Sequence, residues 1–424
     1  MKLFLPFLVT LISFAANAQD LVLVSTGASY DFQSYYRLSD DSSYQVQNNT
    51  WDIAFTTIGQ QDAGVHVNES SRTSFGSPQP EVEVYLAPTN NWEDPIEVDS
   101  LKDRLYNDEV SWTYGGAFNQ PRDPSDIFDF GWGEYDFMVN QVKSKNIYVI
   151  KLRDGSYKKF EIQSIVLTTY NFRYADLDGS NEVSKSLNKA DYEFSSFAYF
   201  DFASESFINT VPNTWDLEFC RYITPIDAGG GNFIPFGVTG VLSGFGVEVA
   251  EARGVDPETV DPIEYRDSFS TVLDVIGYDW KDFENNMAWV LAEDLVYFVK
   301  ATDDNVYKIT FLQFGGSSTG DVIFEKELVD ISSAKDLELA NGKFVLAPNP
   351  ARGNTTLLME VDQSIPNLQI NVLDLSGKMV RTYHTAANQG LNAIQMNDLP
   401  STPGIYSVQV TDGEKVSVVK MRVQ

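Results

Sequence analysis

The side chains that could carry chemistry are few and far apart. The 424-residue chain holds two histidines, His66 and His384, and one cysteine, Cys220. A Ser-His-Asp or Cys-His arrangement needs an imidazole beside its nucleophile, and this sequence has almost none to give. Paired-cysteine and His-Glu-x-x-His zinc spacings do not occur. Cys220 ends the strand-like run Trp215-Asp216-Leu217-Glu218-Phe219-Cys220 and reads as a small buried hydrophobe rather than a nucleophile. His66 lies in Gly64-Val65-His66-Val67-Asn68, where alternation predicts a solvated ring on the face opposite its valines.

Carboxylates are the other candidates. Between Asp126 and Phe137, Asp129, Glu134 and Asp136 are interleaved with Phe128, Phe130, Trp132 and Tyr135. Rings that stack on pyranose faces and carboxylates that accept hydroxyl hydrogens suit a sugar, and the same three carboxylates could supply a glycoside hydrolase acid pair. The plainer reading is a loop that returns to a strand through Trp132, with Trp280 as its counterpart. Asp176-x-Asp178-Gly179-Ser180 resembles the start of a calcium loop, but Asn181 and Leu187 stand where an EF-hand loop needs Gly and Glu. Gly229-Gly230-Gly231 lacks the Lys-Ser/Thr of a phosphate-binding loop and reads as a flexible turn. No catalytic set and no metal site is expected.

The elements around these residues repeat. Tyr35-Tyr36-Arg37-Leu38 precedes Asn49-Thr50-Trp51-Asp52, and Tyr199-Phe200-Asp201-Phe202 precedes Asn213-Thr214-Trp215-Asp216 at the same distance. Each tetrad runs into a strand, Ile53-Ala54-Phe55 or Leu217-Glu218-Phe219. Ile147 to Lys151 and Val296 to Lys300 each open a β-hairpin, with Tyr157-Lys158 and Tyr307-Lys308 opening the return strands. That match makes the second turn one residue longer. In each tetrad Trp should face the core, and Asp should bond amides of the preceding turn. The chain therefore divides into copy one, 19–190, copy two, 191–333, a linker, 334–344, and a final module, 345–424.

The ends and the charge point to export. Met1-Lys2, an apolar run to Ala15 and Ala16-Asn17-Ala18 form a signal peptide over 1–18. The run is too short for a stable membrane anchor, and no later segment is a candidate span. With 30 basic and 60 acidic residues the net charge is −30; losing residues 1–18 removes Lys2 and gives −31. The final module holds six basic and six acidic residues, so the acidity lies upstream. Such a surface repels nucleic acid and anionic lipid.

Residues 345–424 resemble the type A C-terminal sorting domain of type IX secretion substrates. The resemblance rests on Ala347-Pro348-Asn349-Pro350, on Asp374, Gly377 and Lys378 within Ile370 to Lys378, on Gly404 and Tyr406 within Pro403 to Val410, and on Lys420 near the end. It implies an immunoglobulin-like β-sandwich, handling by the type IX secretion machinery and its sortase, and delivery through the periplasm to the outer surface or medium. The repeated blocks, with Val238 to Ser243, resemble the HmuY-like family of secreted haem-binding proteins. That implies a mainly β chain: two tandem HmuY-like antiparallel β domains, then the sandwich. It also implies haem as ligand. With His384 in a module expected to be removed, His66 would have to ligate with Met138, Met287 or a tyrosine. The expected function is a non-enzymatic, surface-exported binding protein. A surface adhesin or glycan-binding protein and a glycoside hydrolase are the alternatives.

Overall fold

Strands follow the apolar patterning, and the structure, a computed structural model, is mainly β. It describes residues 20–59, 62–71, 81–192, 194–284, 288–331, 344–361, 363–374, 376–413 and 415–424. The expected signal peptide, Met287 and the expected linker apart from Phe344 lie outside these residues. Two units result, one ending at Val329 and one running from Asp330 to Gln424.

In the first unit both expected hairpins form. Tyr148–Lys151 pairs antiparallel with Tyr157–Val166, and Leu295–Lys300 with Val306–Phe314. The two opening strands are buried on both faces, as continuous apolar runs require. The turns are of equal length, closing on Lys151↔Tyr157 and Lys300↔Val306. Gly155 and Asp304 hold the matching left-handed positions. The extra residue expected in the second turn came from aligning Tyr157 with Tyr307, when Val306 is its structural equivalent.

The larger difference is in how the copies combine. They do not lie in tandem; they exchange strands. One sheet runs Val183–Asn188, Thr169–Ala175, Tyr157–Val166, Tyr148–Lys151, Glu83–Leu86, Arg104–Leu105. Its counterpart runs Asp20–Ser25, Asp321–Val329, Val306–Phe314, Leu295–Lys300, Glu248–Arg253. The first strand of the chain thus completes the sheet of the second copy. Val183–Asn188 holds the equivalent place in the other sheet, so the repeat restarts before residue 190.

The two remaining four-stranded sheets of this unit are mixed in the same way. Phe32–Tyr36 pairs with Leu217–Asp227, and Phe197–Asp201 pairs with Ile53–Thr56. Each copy's aromatic strand therefore lies against the other copy's Trp-Asp strand.

The tetrad aspartates fasten this exchange. Asp52 Oδ2 accepts from Phe202 N at 2.7 Å, and Asp216 Oδ2 accepts from Leu38 N at 2.8 Å. The amides belong to the opposite copy, not to the preceding turn. The other oxygens hold the hairpin turns: Arg153 Nε donates to Asp52 Oδ1 at 2.8 Å, and Thr302 N donates to Asp216 Oδ1 at 3.0 Å. Arg153 also pairs with Asp201. Trp51 and Trp215 are buried as expected, but in one shared cluster with Tyr35, Ala54, Phe197 and Tyr199. Trp132 and Trp280 are also buried, each in one of the unit's two main cores.

The second unit is a seven-stranded arrangement in the order Met379–Ala387, Ile365–Leu373, Gly404–Thr411, Val416–Val423, Phe344–Arg352, Asn354–Val361, Gly390–Asn397. Phe344–Arg352 belongs to both halves, pairing antiparallel with Asn354–Val361 and touching Val423 in parallel through Ala351. Ile370, Val372, Tyr406, Val408 and Val410 alternate inward to build its core.

Candidate functional site

A cavity of about 60 Å³ lies where the exchanged strands meet. Its walls are repeat-related pairs: Tyr35 with Tyr199, Trp51 with Trp215, Ala54 with Glu218, His66 with Leu242. The first two pairs keep the symmetry and make an aromatic box. Trp51 meets Tyr199 edge-on at 5.0 Å between ring centres, and Trp215 meets Tyr35 at 5.2 Å. The other two pairs break it, placing a carboxyl and an imidazole opposite a methyl and an isobutyl group.

His66 is placed by a close backbone approach. Its strand, Val65–Val67, is buried on both faces, and the ring is 3% exposed. The solvated strand histidine expected from alternation is therefore corrected. Trp112 packs over it, with ring centres 5.2 Å apart, and the Trp112 carbonyl lies 2.7 Å from His66 Nε2. A carbonyl can only accept, so Nε2 carries the proton and Nδ1 a lone pair. A Cβ at residue 64 would stand 2.2 Å from that same carbonyl, which is why glycine precedes the strand. Burial pulls the imidazole down to about 4, so it is neutral.

Three glutamates line the cavity as well. Burial raises Glu69 to about 8, although Asn107 N at 2.9 Å and Ile223 N at 3.0 Å donate to it. Burial raises Glu109 to about 7 and Glu218 to about 7, the latter beside the Tyr35 hydroxyl and the Cys220 thiol. The Cys220 thiol is itself held well above its ordinary value by burial. Cys220 is buried, as read from the sequence. Three buried polar atoms at this cavity have no partner: His66 Nδ1, Glu109 Oε1 and the Tyr222 hydroxyl.

The other candidates lie elsewhere. Met138 is 94% exposed, in the turn between Gly133–Asp136 and Gln141–Ser144, and does not line the cavity with His66. Asp129 is buried against Lys145 at 2.6 Å, and Asp136 meets Lys143 at 2.7 Å. Hydrogen bonds, foremost from Lys143, hold Asp136 below the usual carboxylate range; Asp129 is also low, its lysine and backbone partners outweighing burial. Glu134 faces solvent, while Phe137 meets Phe128 and Tyr135 edge-on. Asp176 is tied up by Lys158 at 2.5 Å. Among the described residues no group of three His, Cys, Asp or Glu side chains is placed to hold a metal ion.

Sequence reasoning missed Glu69, Glu109, Tyr222 and Glu218. For Glu218 a signal existed: counting three residues on from each tetrad Trp reaches Ala54 in one copy and Glu218 in the other. Glu69 and Glu109 carry no local mark, because only the exchange buries them.

In the C-terminal unit the motif residues have backbone duties. Asn349 Nδ2 donates to Lys420 O at 2.9 Å, and its Oδ1 accepts from Arg422 N at 2.9 Å, fastening the Asn349-Pro350 segment to the last strand. Asp374 Oδ1 accepts from Ser376 N at 2.9 Å and Lys378 N at 3.1 Å, around Gly377 at a φ of +79°. Gly404 pairs with Val423, and the Tyr406 hydroxyl donates to Thr402 O at 2.8 Å.

Residues 345–424 match the family described as a secretion system C-terminal sorting domain. No curated protein matches the chain. Among solved structures the chain is similar to one titled "Biofilm associated protein - BSP domain", at 8% identity, over 97% of this chain and 84% of that one. The TM-score of 0.17 gives that likeness no weight as an argument. No described helix is long and apolar enough to cross a membrane. The C-terminal unit thus carries the signal for type IX secretion, and the protein is exported to the cell surface or released beyond it.

Proposed function

We propose that the chain is an exported, non-catalytic binding protein whose first unit holds its ligand in the cavity between the exchanged copies. One observation carries this reading: His66, Glu109 and Tyr222 line one aromatic-walled space, and each has a buried polar atom with no hydrogen-bond partner among the described residues. Buried polar atoms are nearly always satisfied, and each orphan costs about 1–3 kcal/mol. A bound group able to hydrogen-bond there would complete them.

Haem is not the ligand we favour. The cavity holds about 60 Å³, whereas pockets for cofactor-sized ligands hold roughly 300–1,000 Å³. His66 Nε2 is already engaged by a backbone carbonyl. The HmuY-like likeness stays a matter of the repeated aromatic and Trp-Asp strands, and haem a reading that a Soret titration tests directly.

A glycan is the second reading, favoured by an open groove of about 410 Å³ lined by Asn188, Asp191, Tyr192, Phe207, Asn209 and Asn213. Rings beside amides and a carboxylate suit a sugar face.

The test is a thermal-shift screen of the mature chain against amines, sugars and porphyrins, with a glycan array alongside. Ligands whose effect is lost in Glu218→Gln or Tyr222→Phe support the cavity. Hits insensitive to both substitutions, or turnover of a glycoside lost in Asp129→Asn or Glu134→Gln, would overturn the reading.

A further inference from the structure

We infer that the cavity between the exchanged copies binds a small primary ammonium group, held by Glu218, Glu109 and His66 Nδ1 inside a ring of aromatic side chains. This rests on the reading of that cavity as the ligand site and names its chemistry.

The unpartnered atoms set the polarity. His66 Nδ1 carries a lone pair because Nε2 donates to Trp112 O, and Glu109 Oε1 is an acceptor once its carboxyl ionises. The Tyr222 hydroxyl can turn to either role. The missing partner is therefore a donor.

Charge sets its sign. Glu69, Asp108, Glu109 and Glu218 line the space, with Arg221 as the guanidinium among them. The neutral imidazole adds nothing to offset the carboxyls. Ionising these glutamates in an unoccupied cavity is costly, and a cation seated among them removes that cost.

The walls set the kind of cation. Trp112, Trp215, Phe197 and Tyr199 present ring surface, which attracts ammonium groups by about 0.5–2 kcal/mol per contact. A bare divalent ion has the wrong surroundings, since it needs several oxygens at about 2.0–2.6 Å. Among the described residues no three acidic, His or Cys groups converge that closely. An ammonium reaches acceptors at about 2.7–3.2 Å, which suits dispersed groups. The volume, about 60 Å³, has room for roughly two to four water-sized groups, so an ammonium with a short alkyl stem fits. Half-buried Asn107, Asp108 and Glu109 lie at its edge.

The repeat gives an independent reason. Glu218 and His66 stand where the opposite copy has Ala54 and Leu242. Two apolar residues there would have closed the box with a satisfied core, as the paired Tyr and Trp residues do around it.

The test uses the mature full-length chain and methylammonium chloride, with tetramethylammonium and potassium chlorides as controls at equal ionic strength. Tryptophan fluorescence and calorimetry in two buffers of different ionisation enthalpy are read at pH 6. Methylammonium is expected to bind and to release protons, because the carboxyl facing it ionises. Tetramethylammonium, which has no N–H, should bind at least about tenfold more weakly. Glu218→Gln, and Tyr222→Phe as the shape-preserving variant, should each weaken methylammonium about tenfold or more while keeping the near-ultraviolet circular dichroism of the parent. No heat and no fluorescence change with methylammonium would overturn the inference and leave the cavity to ordered water. If the wider screen still yields ligands sensitive to Glu218→Gln, the cavity stands as the site and the ammonium assignment alone falls. If it yields none, both fall.

Discussion

Replacing Asp216 with alanine should loosen the chain most clearly at a place 178 residues away in sequence. The Asp216 carboxylate is 1% exposed and accepts three hydrogen bonds: Leu38 N at 2.8 Å, Thr302 N at 3.0 Å and Thr302 Oγ1 at 2.7 Å. Asp216→Ala strips the acceptor from two backbone amides and a hydroxyl. An orphaned buried donor costs about 1–3 kcal/mol, and bonds to a charged acceptor are at the strong end. Water entering the vacated space recovers part of this, leaving a loss of about 3 kcal/mol. Against a total stability of roughly 5–15 kcal/mol the unit should survive and be measurable. The assay is native-state hydrogen exchange by mass spectrometry on the mature protein. Peptides covering Tyr36 to Leu38 should lose protection together with those covering the turn at Thr302. Asp52→Ala should do the mirror-image thing at Phe202. If Asp216→Ala left Leu38 as protected as before while destabilising the Thr302 turn, the exchange between copies would be refuted.

Other consequences are separable. Trp51→Ala and Trp215→Ala should each cost about 3–5 kcal/mol, and the double variant should depart from additivity by about 0.5–3 kcal/mol in a urea-unfolding cycle, because both rings share one cluster. Within ~0.3 kcal/mol of additivity, the copies would be independent cores. For pH, the glutamates and His66 oppose each other. Glu218 at about 7, Glu109 at about 7 and Glu69 at about 8 lie above the unfolded value of roughly 4.3, so the stability they contribute is complete below that value and is lost as pH rises towards 8. His66 at about 4 lies below its unfolded value of roughly 6.5, so its share is lost as pH falls through 4. Between about 4.3 and 6.5 three glutamates outweigh one histidine, so urea midpoints of the first unit should be highest near pH 4–4.5 and decline to pH 8, and Glu218→Gln should flatten the decline; a midpoint rising from pH 6 to 8 would contradict this. Deleting residues 345–424 should leave the protein in the periplasm by cell fractionation, and normal surface delivery of the truncated chain would count against the sorting role.

Local signals were legible in the sequence, and partners were not. The hairpin at Tyr148–Lys151 and its counterpart at Leu295–Lys300 announce themselves by apolar runs that turn on Asp154-Gly155 and Asp303-Asp304. The sorting module was legible as a family and as β-structure, because Asn349, Asp374 and Gly377 each answer a backbone requirement fixed by neighbours in a small unit. Trp51 and Trp215 were rightly placed in a core, but which core depends on which strand lies alongside. Nothing local to Leu217 specifies Tyr36 as its partner; a duplicated sequence offers each strand two equivalent mates, and pairing within a copy looks as good as pairing across. The orientation of His66 was misread for the same reason. Alternation puts one face of a strand outward only if the sheet has an outside there, and here Trp112 of the same copy and Phe197 of the other cover the imidazole. The cavity inherits that blindness, since it exists only where the two copies meet.

The exchange itself has a direct test in fragments of the first unit. Residues 183–331 made alone lack Asp20–Ser25 and Phe32–Tyr36, and so lack an edge strand of one sheet and the mate of Leu217–Asp227. Circular dichroism and thermal melting should find this fragment without a cooperative transition, and mixing it with residues 20–182 should restore one, together with near-ultraviolet signal from the shared aromatic cluster. A fragment that melts cooperatively as a monomer, unchanged by its complement, would contradict the account.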